Sequence, residues 1–209
     1  KFQDYPFRVP NLKTITTKAR KITSELKEAT SPEAAIKAVK KMNKYGDDVL
    51  SDLTIISIRY SIDTNNEQYA KANDVIDEIS PHISALLNEY NLVLLASPYR
   101  QELEAKFGSY LFAMLENQIR IFDPIIIEDL QKENKLTTQY DRLLASAQIP
   151  YRGEVYNLSQ IGKFMQDQDR ETRKSASKAY YQFFEDHEEE LANIYDELVK
   201  VRDGMAKKL

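Results

Sequence analysis

Apolar or small residues at Ile36, Val39, Met42, Gly46, Val49, Leu53, Ile56 and Tyr60 recur at steps of three and four, the spacing that lines one face of an α-helix. Ser31-Pro32-Glu33 supplies the start of this helix: a capping hydroxyl, a proline suited to the first helical position, and an acid near the positive dipole end. Gly46 falls on the stripe. A glycine costs a helix about 1 kcal/mol relative to Ala, so the expected compensation is close approach of a neighbouring helix. A second stripe, Tyr69, Ala72, Ile76, Ile79, Ile83, Leu86 and Tyr90, runs across Pro81, where a kink or brief break is expected near Ser80-Pro81. Ser97-Pro98 and Asp123-Pro124 open helices expected over roughly 98–121 and 124–147.

Helical patterning lapses at Gln148–Leu158, where aromatic and β-branched residues flank a glycine-containing turn and predict a short β-hairpin near 149–158. Asp169 is then placed to cap a helix striped by Ala176, Ala179, Tyr180, Phe183 and Phe184, and a last helix carries Leu191, Ile194, Tyr195, Leu198, Val201 and Met205. This stripe still runs at Leu209, and the chain opens on Lys1 rather than Met. A trimmed or processed piece of a longer chain is expected. The fold class is mainly α with one hairpin.

Composition agrees with long elements. Five glycines and seven prolines in 209 residues are about half of what average usage of roughly 7% and 5% would supply, so few turns are punctuated. A chain of this length can bury most of its surface without staples. The 29 basic and 33 acidic residues give a net charge of −4 and a pI near 5.4. That balance argues against nucleic acid as a partner. The basic runs Lys13/Lys18/Arg20/Lys21 and Lys37/Lys40/Lys41/Lys44 are read as solvated helix faces. There is no cysteine, which excludes disulfides, thiolate nucleophiles and Cys-based zinc sites. The polar, Pro-broken first ten residues and the lack of any run of about 18 apolar residues encode neither export nor membrane insertion, and a cytoplasmic location is expected.

Residues able to carry chemistry are few. His82 and His187 are the two histidines, and His187-Glu188-Glu189-Glu190 has Leu191 where a zinc-protease helix needs its second imidazole. The pairs Glu102/Glu104 and Asp167/Asp169 are ordinary in a chain that is 30% charged. Glycines at 46, 108, 153, 162 and 204 form no phosphate loop. The 13 tyrosines outnumber the 8 phenylalanines; Tyr60, Tyr69, Tyr90, Tyr180 and Tyr195 lie on stripes and are read as core edge. No catalytic or metal-ligating residue is assigned, and substrate-binding residues are left unassigned.

From Ile58 onward the sequence resembles the amino-terminal region of the oligoendopeptidase F family, zinc metallopeptidases related to thimet oligopeptidase. The resemblance lies in Ile58–Thr64, in Ser97-Pro98-Tyr99-Arg100-Gln101-Glu102-Leu103-Glu104, in Glu133–Leu136 and in Tyr140–Ala147. It continues in Gly153-Glu154, Asn157-Leu158-Ser159, Asp169–Lys174 and Ile194–Arg202, in the family's order. It implies a mostly helical enzyme that hydrolyses short peptides inside a channel, with zinc held by a His-Glu-x-x-His helix and a further Glu. Both are absent here, and the family carries them farther along the chain than residue 209. The resemblance thus implies an intact zinc metalloendopeptidase whose residues 1–148 form a channel wall that limits substrate size. Residues 149–209 would lead into a catalytic domain of the same polypeptide, and the 209-residue chain alone would be inactive. The competing reading of the residues is a free-standing helical scaffold or protein-interaction module.

Overall fold

Asn11 accepts a hydrogen bond from the Thr14 N–H at 3.0 Å and so opens the first helix, α1 (Leu12–Lys27), in a computed structural model that describes residues 1–209. Its buried face is Ile15, Ala19, Ile22 and Leu26. Ser31 Oγ accepts from the Ala34 N–H at 3.2 Å, and with Pro32 in the first turn it starts α2 (Pro32–Ile62). The long stripe is confirmed at both ends of α2, with Ala35, Ala38, Val39 and Met42 buried at one end and Ile56 and Tyr60 at the other. Between them it opens.

Gly46 is exposed, and a methyl group added there would meet nothing within 4 Å. The close helix approach expected at this glycine is therefore absent. Gly46 instead borders an apolar groove of about 270 Å³, shared with Tyr45, Leu50 and Leu87.

The third helix, α3 (Glu67–Leu95), is capped by Asn66 Oδ1, which accepts from the N–H groups of Gln68 and Tyr69. It passes through Pro81 without the break expected there. Pro81 has no N–H to give the carbonyl four residues back, but Ile79 and Leu86 are buried on either side of it.

Where the sequence suggested one helix over 98–121 there are two, α4 (Arg100–Phe107) and α5 (Ser109–Gln118). Gly108 separates them with φ +95°, a conformation that side-chain-bearing residues avoid. Ser97 does not cap α4; its Oγ accepts from the Tyr99 N–H in the turn before it. Arg100 ties the two helices, donating to Glu104 and to Glu116 at 2.6 Å each. The core of these five helices centres on Ile22, Val39, Leu103 and Phe112, none more than 2% exposed.

Asp123 Oδ1 accepts from the Ile125 N–H at 2.8 Å, and the 3₁₀ turn Pro124–Ile126 leads into α6 (Ile127–Ala145), close to the expected 124–147. The chain forms two compact units, residues 1–131 with 205–209, and residues 132–204.

In the second unit the expected hairpin is present as β1 (Ile149–Tyr151) and β2 (Glu154–Tyr156). They pair antiparallel, with Ile149 opposite Tyr156 and Tyr151 opposite Glu154. Its two-residue turn, Arg152 at φ 53° and Gly153 at φ 83°, has the doubly positive φ of a type I′ turn. Asn157 and Gln160 form a reciprocal capping box for α7 (Leu158–Met165), which is too short to show a repeating stripe in the sequence. Asp169 caps α8 (Arg170–Asp186) as expected, accepting from the Thr172 N–H at 2.8 Å. The last helix is α9 (Glu188–Lys208). Ile161 and Ala176, both 0% exposed, lie at the centre of this core with Ile149, Phe183 and Ile194.

Candidate functional site

The two histidines do not build a metal site. His82 lies half-buried on α3, one residue after Pro81, with its Nε2 3.3 Å from the side-chain nitrogen of Gln131. His187 closes α8. Its Nδ1–H donates to the Phe183 carbonyl at 2.8 Å, and its ring rests 4.4 Å from that of Phe183. That bond occupies Nδ1 and leaves Nε2 as the other ring nitrogen. Nowhere do three His, Cys, Asp or Glu side chains converge in a way that could hold a metal ion. The residues of this chain therefore do not fit the zinc site that the family resemblance implies, and no step of metal chemistry can be derived from them.

Of the carboxylates read as ordinary from the sequence, Glu104, Asp167 and Asp169 hold local structure. Glu104 is bound to Arg100. Asp169 caps α8, while Asp167 Oδ1 accepts from the Asp169 N–H at 2.9 Å. Thr172, hydrogen-bonded to Asp169 through both its hydroxyl and its backbone, holds the Asp169 carboxyl below the usual range.

His187 borders a depression of about 500 Å³ in the second unit, between α6 and the start of α9, with Asp186, Glu189, Glu190 and Glu197 on its rim. Glu197 is the most perturbed acid of the chain. Its hydrogen bonds from Lys132, at 2.8 Å, and from Lys200, at 3.0 Å, lower its pKa to about 2. Two ammonium groups thus fix it as a carboxylate, which suits an ion-pair network and not proton transfer near neutral pH. Lys200 lies three positions from Glu197 on the same helix, whereas Lys132 lies 65 positions away.

The stripe tyrosines divide. Tyr60 and Tyr90 are buried, and Tyr69 and Tyr180 are half-buried, as core-edge residues would be. Tyr195 is 68% exposed, against expectation, because its neighbour Ile194 occupies the inward position. The basic runs are solvated as expected: Lys13, Lys18, Arg20, Lys21, Lys37, Lys40, Lys41 and Lys44 are all exposed. Arg20 pairs with Glu89 and Lys41 with Glu25.

A nine-helix chain with one hairpin and no assembled reaction centre is best understood by comparison. Residues 2–122 match the family described as peptidase M3 N-terminal domain, which is more than half of the chain. The chain belongs to that family.

Solved structures extend the likeness to the remaining residues. Pz peptidase A with inhibitor 2 is 39% identical, with a TM-score of 0.96 over 100% of this chain. A putative oligoendopeptidase F is 38% identical, with a TM-score of 0.97 over 100% of it. A putative oligoendopeptidase F from Bacillus anthracis str. Ames is 39% identical, with a TM-score of 0.96 over 99%. This chain spans 37% of the length of the first two and 38% of the third. No curated protein matches it. The mainly helical fold implied by the family resemblance is confirmed, and no helix is long and apolar enough to cross a membrane.

Proposed function

We propose that this M3 N-terminal region serves a zinc-dependent oligoendopeptidase as one wall of the channel in which short peptides are hydrolysed. Residues 1–148 form the wall, and residues 149–209 lead toward a catalytic domain on the same polypeptide that holds the zinc. The supporting observation is the likeness of the whole chain to little more than a third of the solved oligoendopeptidase F chains, joined to the lack of any converging ligand set here. A helical wall admits an extended peptide but not a folded domain, so selection by size follows from shape. The enzyme works in the cytoplasm, where a chain with no cysteine forgoes no disulfide.

Quenched-fluorescence peptides of graded length test this on the 209-residue chain and on the polypeptide encoded beyond Leu209. The longer polypeptide is expected to contain His-Glu-x-x-His and to cleave short peptides. A chelator should abolish cleavage, zinc should restore it, and a folded protein should resist. The 209-residue chain should show no turnover, and micromolar zinc should leave its melting temperature unchanged, since only a ligand that binds the native state raises it. Zinc-dependent cleavage by this chain alone, or no such motif in the longer reading frame, would falsify the proposal.

A further inference from the structure

Helix α5 is apolar on two faces. Phe112 and Leu115 are buried in the core of the first unit, while Tyr110, Ala113 and Met114, on the opposite side at 3.6 residues per turn, are exposed. No charged residue occurs from Ser109 to Leu115, and Glu116, the first one met, is taken by Arg100. A helix that is apolar all round is ordinarily enclosed on every side. Past the end of α5 the exposure goes on, with Ile121 at 70% and Ile125 at 59% against 77% for Tyr110. Apolar side chains scattered singly over a surface need no explanation, but four large ones within 16 residues are a concentration that calls for a cover. The last residues of the chain lie beside it. Residues 205–209 belong to the first unit, and Lys208 pairs with Asp129 in the first turn of α6, four residues after Ile125. Whatever follows Leu209 therefore starts next to one end of this exposed face, and the solved relatives, of whose length this chain spans 37–38%, have most of their polypeptide still to place.

We propose that the outer face of α5, together with Ile121 and Ile125, is the seat of the polypeptide that follows Leu209. An uncharged, apolar face of its catalytic domain packs on Tyr110, Met114 and Ile121. The inference rests on the reading above that such a domain continues the same polypeptide. A second copy of this chain fits the face less well, because four large side chains fall far short of the roughly 20–30 residues a side of a stable dimer interface. A tethered partner needs less contact, since a short connection holds it at an effective concentration of about millimolar. The covering face must itself be apolar: a charged group pressed on Ala113 and Met114 would lose its water and gain no partner.

The test compares the 209-residue chain with the longer polypeptide, each carrying one of Tyr110→Cys, Met114→Cys, Ile121→Cys or, as the control, Leu50→Cys at an exposed apolar position of α2. Labelling by a maleimide is followed at each position by peptide mass mapping. All four positions should label at similar rates in the 209-residue chain. In the longer polypeptide the rate should fall at least tenfold at Tyr110, Met114 and Ile121 and stay within twofold at Leu50. Hydroxyl-radical oxidation of the native Tyr110 and Met114 makes the same comparison without any substitution, should a variant fail to fold. Equal rates in the two forms, or protection at Leu50 matching that at Met114, would overturn the inference. So would protection that vanishes on dilution, which would assign the face to a second copy, and protection that arises only when a short peptide is added, which would assign it to substrate. Peptide cleavage by the longer polypeptide without protection sinks this inference alone; protection without cleavage sinks only the peptidase reading.

Discussion

Tyr90 places a hydroxyl where nothing receives it. Its side chain is 5% exposed, its oxygen has no hydrogen-bond partner, and burial pushes the phenol above its usual pKa. A buried polar atom left unpaired costs about 1–3 kcal/mol. Tyr90→Phe keeps the ring and removes only the oxygen, so it is expected to raise stability by about 1 kcal/mol in urea unfolding, with an unchanged m-value. Tyr151 is the opposite case. Its hydroxyl lies 2.9 Å from Ser175 Oγ and donates to the Thr172 carbonyl at 3.3 Å. Tyr151→Phe removes both bonds, leaving the Ser175 hydroxyl its bond to the Thr172 carbonyl, and should lower stability by about 1 kcal/mol; a loss at Tyr90 as large as that at Tyr151 would contradict this account. The sequence distinguishes none of this, because all stripe tyrosines look alike until the partners of each oxygen are known. It also cannot choose between adjacent residues such as Ile194 and Tyr195 for the inward place.

Glycine shows how far elements were legible. The stripes of α2, α3 and α9, the hairpin, and the caps at Ser31, Asp123 and Asp169 were all readable, since each rests on a local rule of spacing or capping. The break at Gly108 was not, because the apolar residues on both sides continue the stripe and mask the helix-end signal of Lys106 and Gly108. Gly46 was read as buried because it continues a stripe. Burial depends on what crosses the helix at that height, which the stripe does not encode. The two environments predict opposite responses to one substitution. Gly46→Ala adds a methyl group to open space in a helix and should stabilise by up to about 1 kcal/mol through propensity alone. Gly153→Ala forces a Cβ onto φ 83° and should destabilise by about 1–2 kcal/mol, with loss of β1–β2 amide protection in hydrogen exchange. Equal effects of the two substitutions would show that helix context and turn context had been misassigned.

At the scale of the whole molecule, no three metal-ligating side chains converge, and no reaction is legible in the residues present. What the chain does carry as a whole is a set of pinned carboxylates, and these govern its response to acid. Lys41 lowers the pKa of Glu25, and hydrogen bonds within the cap lower those of Glu33 and Asp169. Lys132 and then Lys200 bring Glu197 to about 2. In the unfolded chain the same groups titrate near ~4.3 for Glu and ~3.9 for Asp. Folded values below unfolded ones mean that the unfolded state binds more protons between the two. The contribution of these groups is therefore complete above about pH 5 and is lost as pH falls toward the folded values. For Glu197 the loss extends to about pH 2. All four groups are open to water, so about 1 M salt, with a Debye length near 3 Å, should weaken the coulombic share and flatten the acid limb. The cap hydrogen bonds of Glu33 and Asp169 should persist. Stability measured from pH 7 to pH 2 is thus expected to hold nearly level to about pH 5 and then decline. Glu197→Gln should remove the part of that slope at the acidic end while leaving the region above pH 5 level. A limb that begins near pH 6 would show that these four carboxylates do not set the acid sensitivity. A Glu197→Gln curve parallel to the parent's down to pH 2 would dissolve the claim that Lys132 and Lys200 hold this carboxylate in the native state.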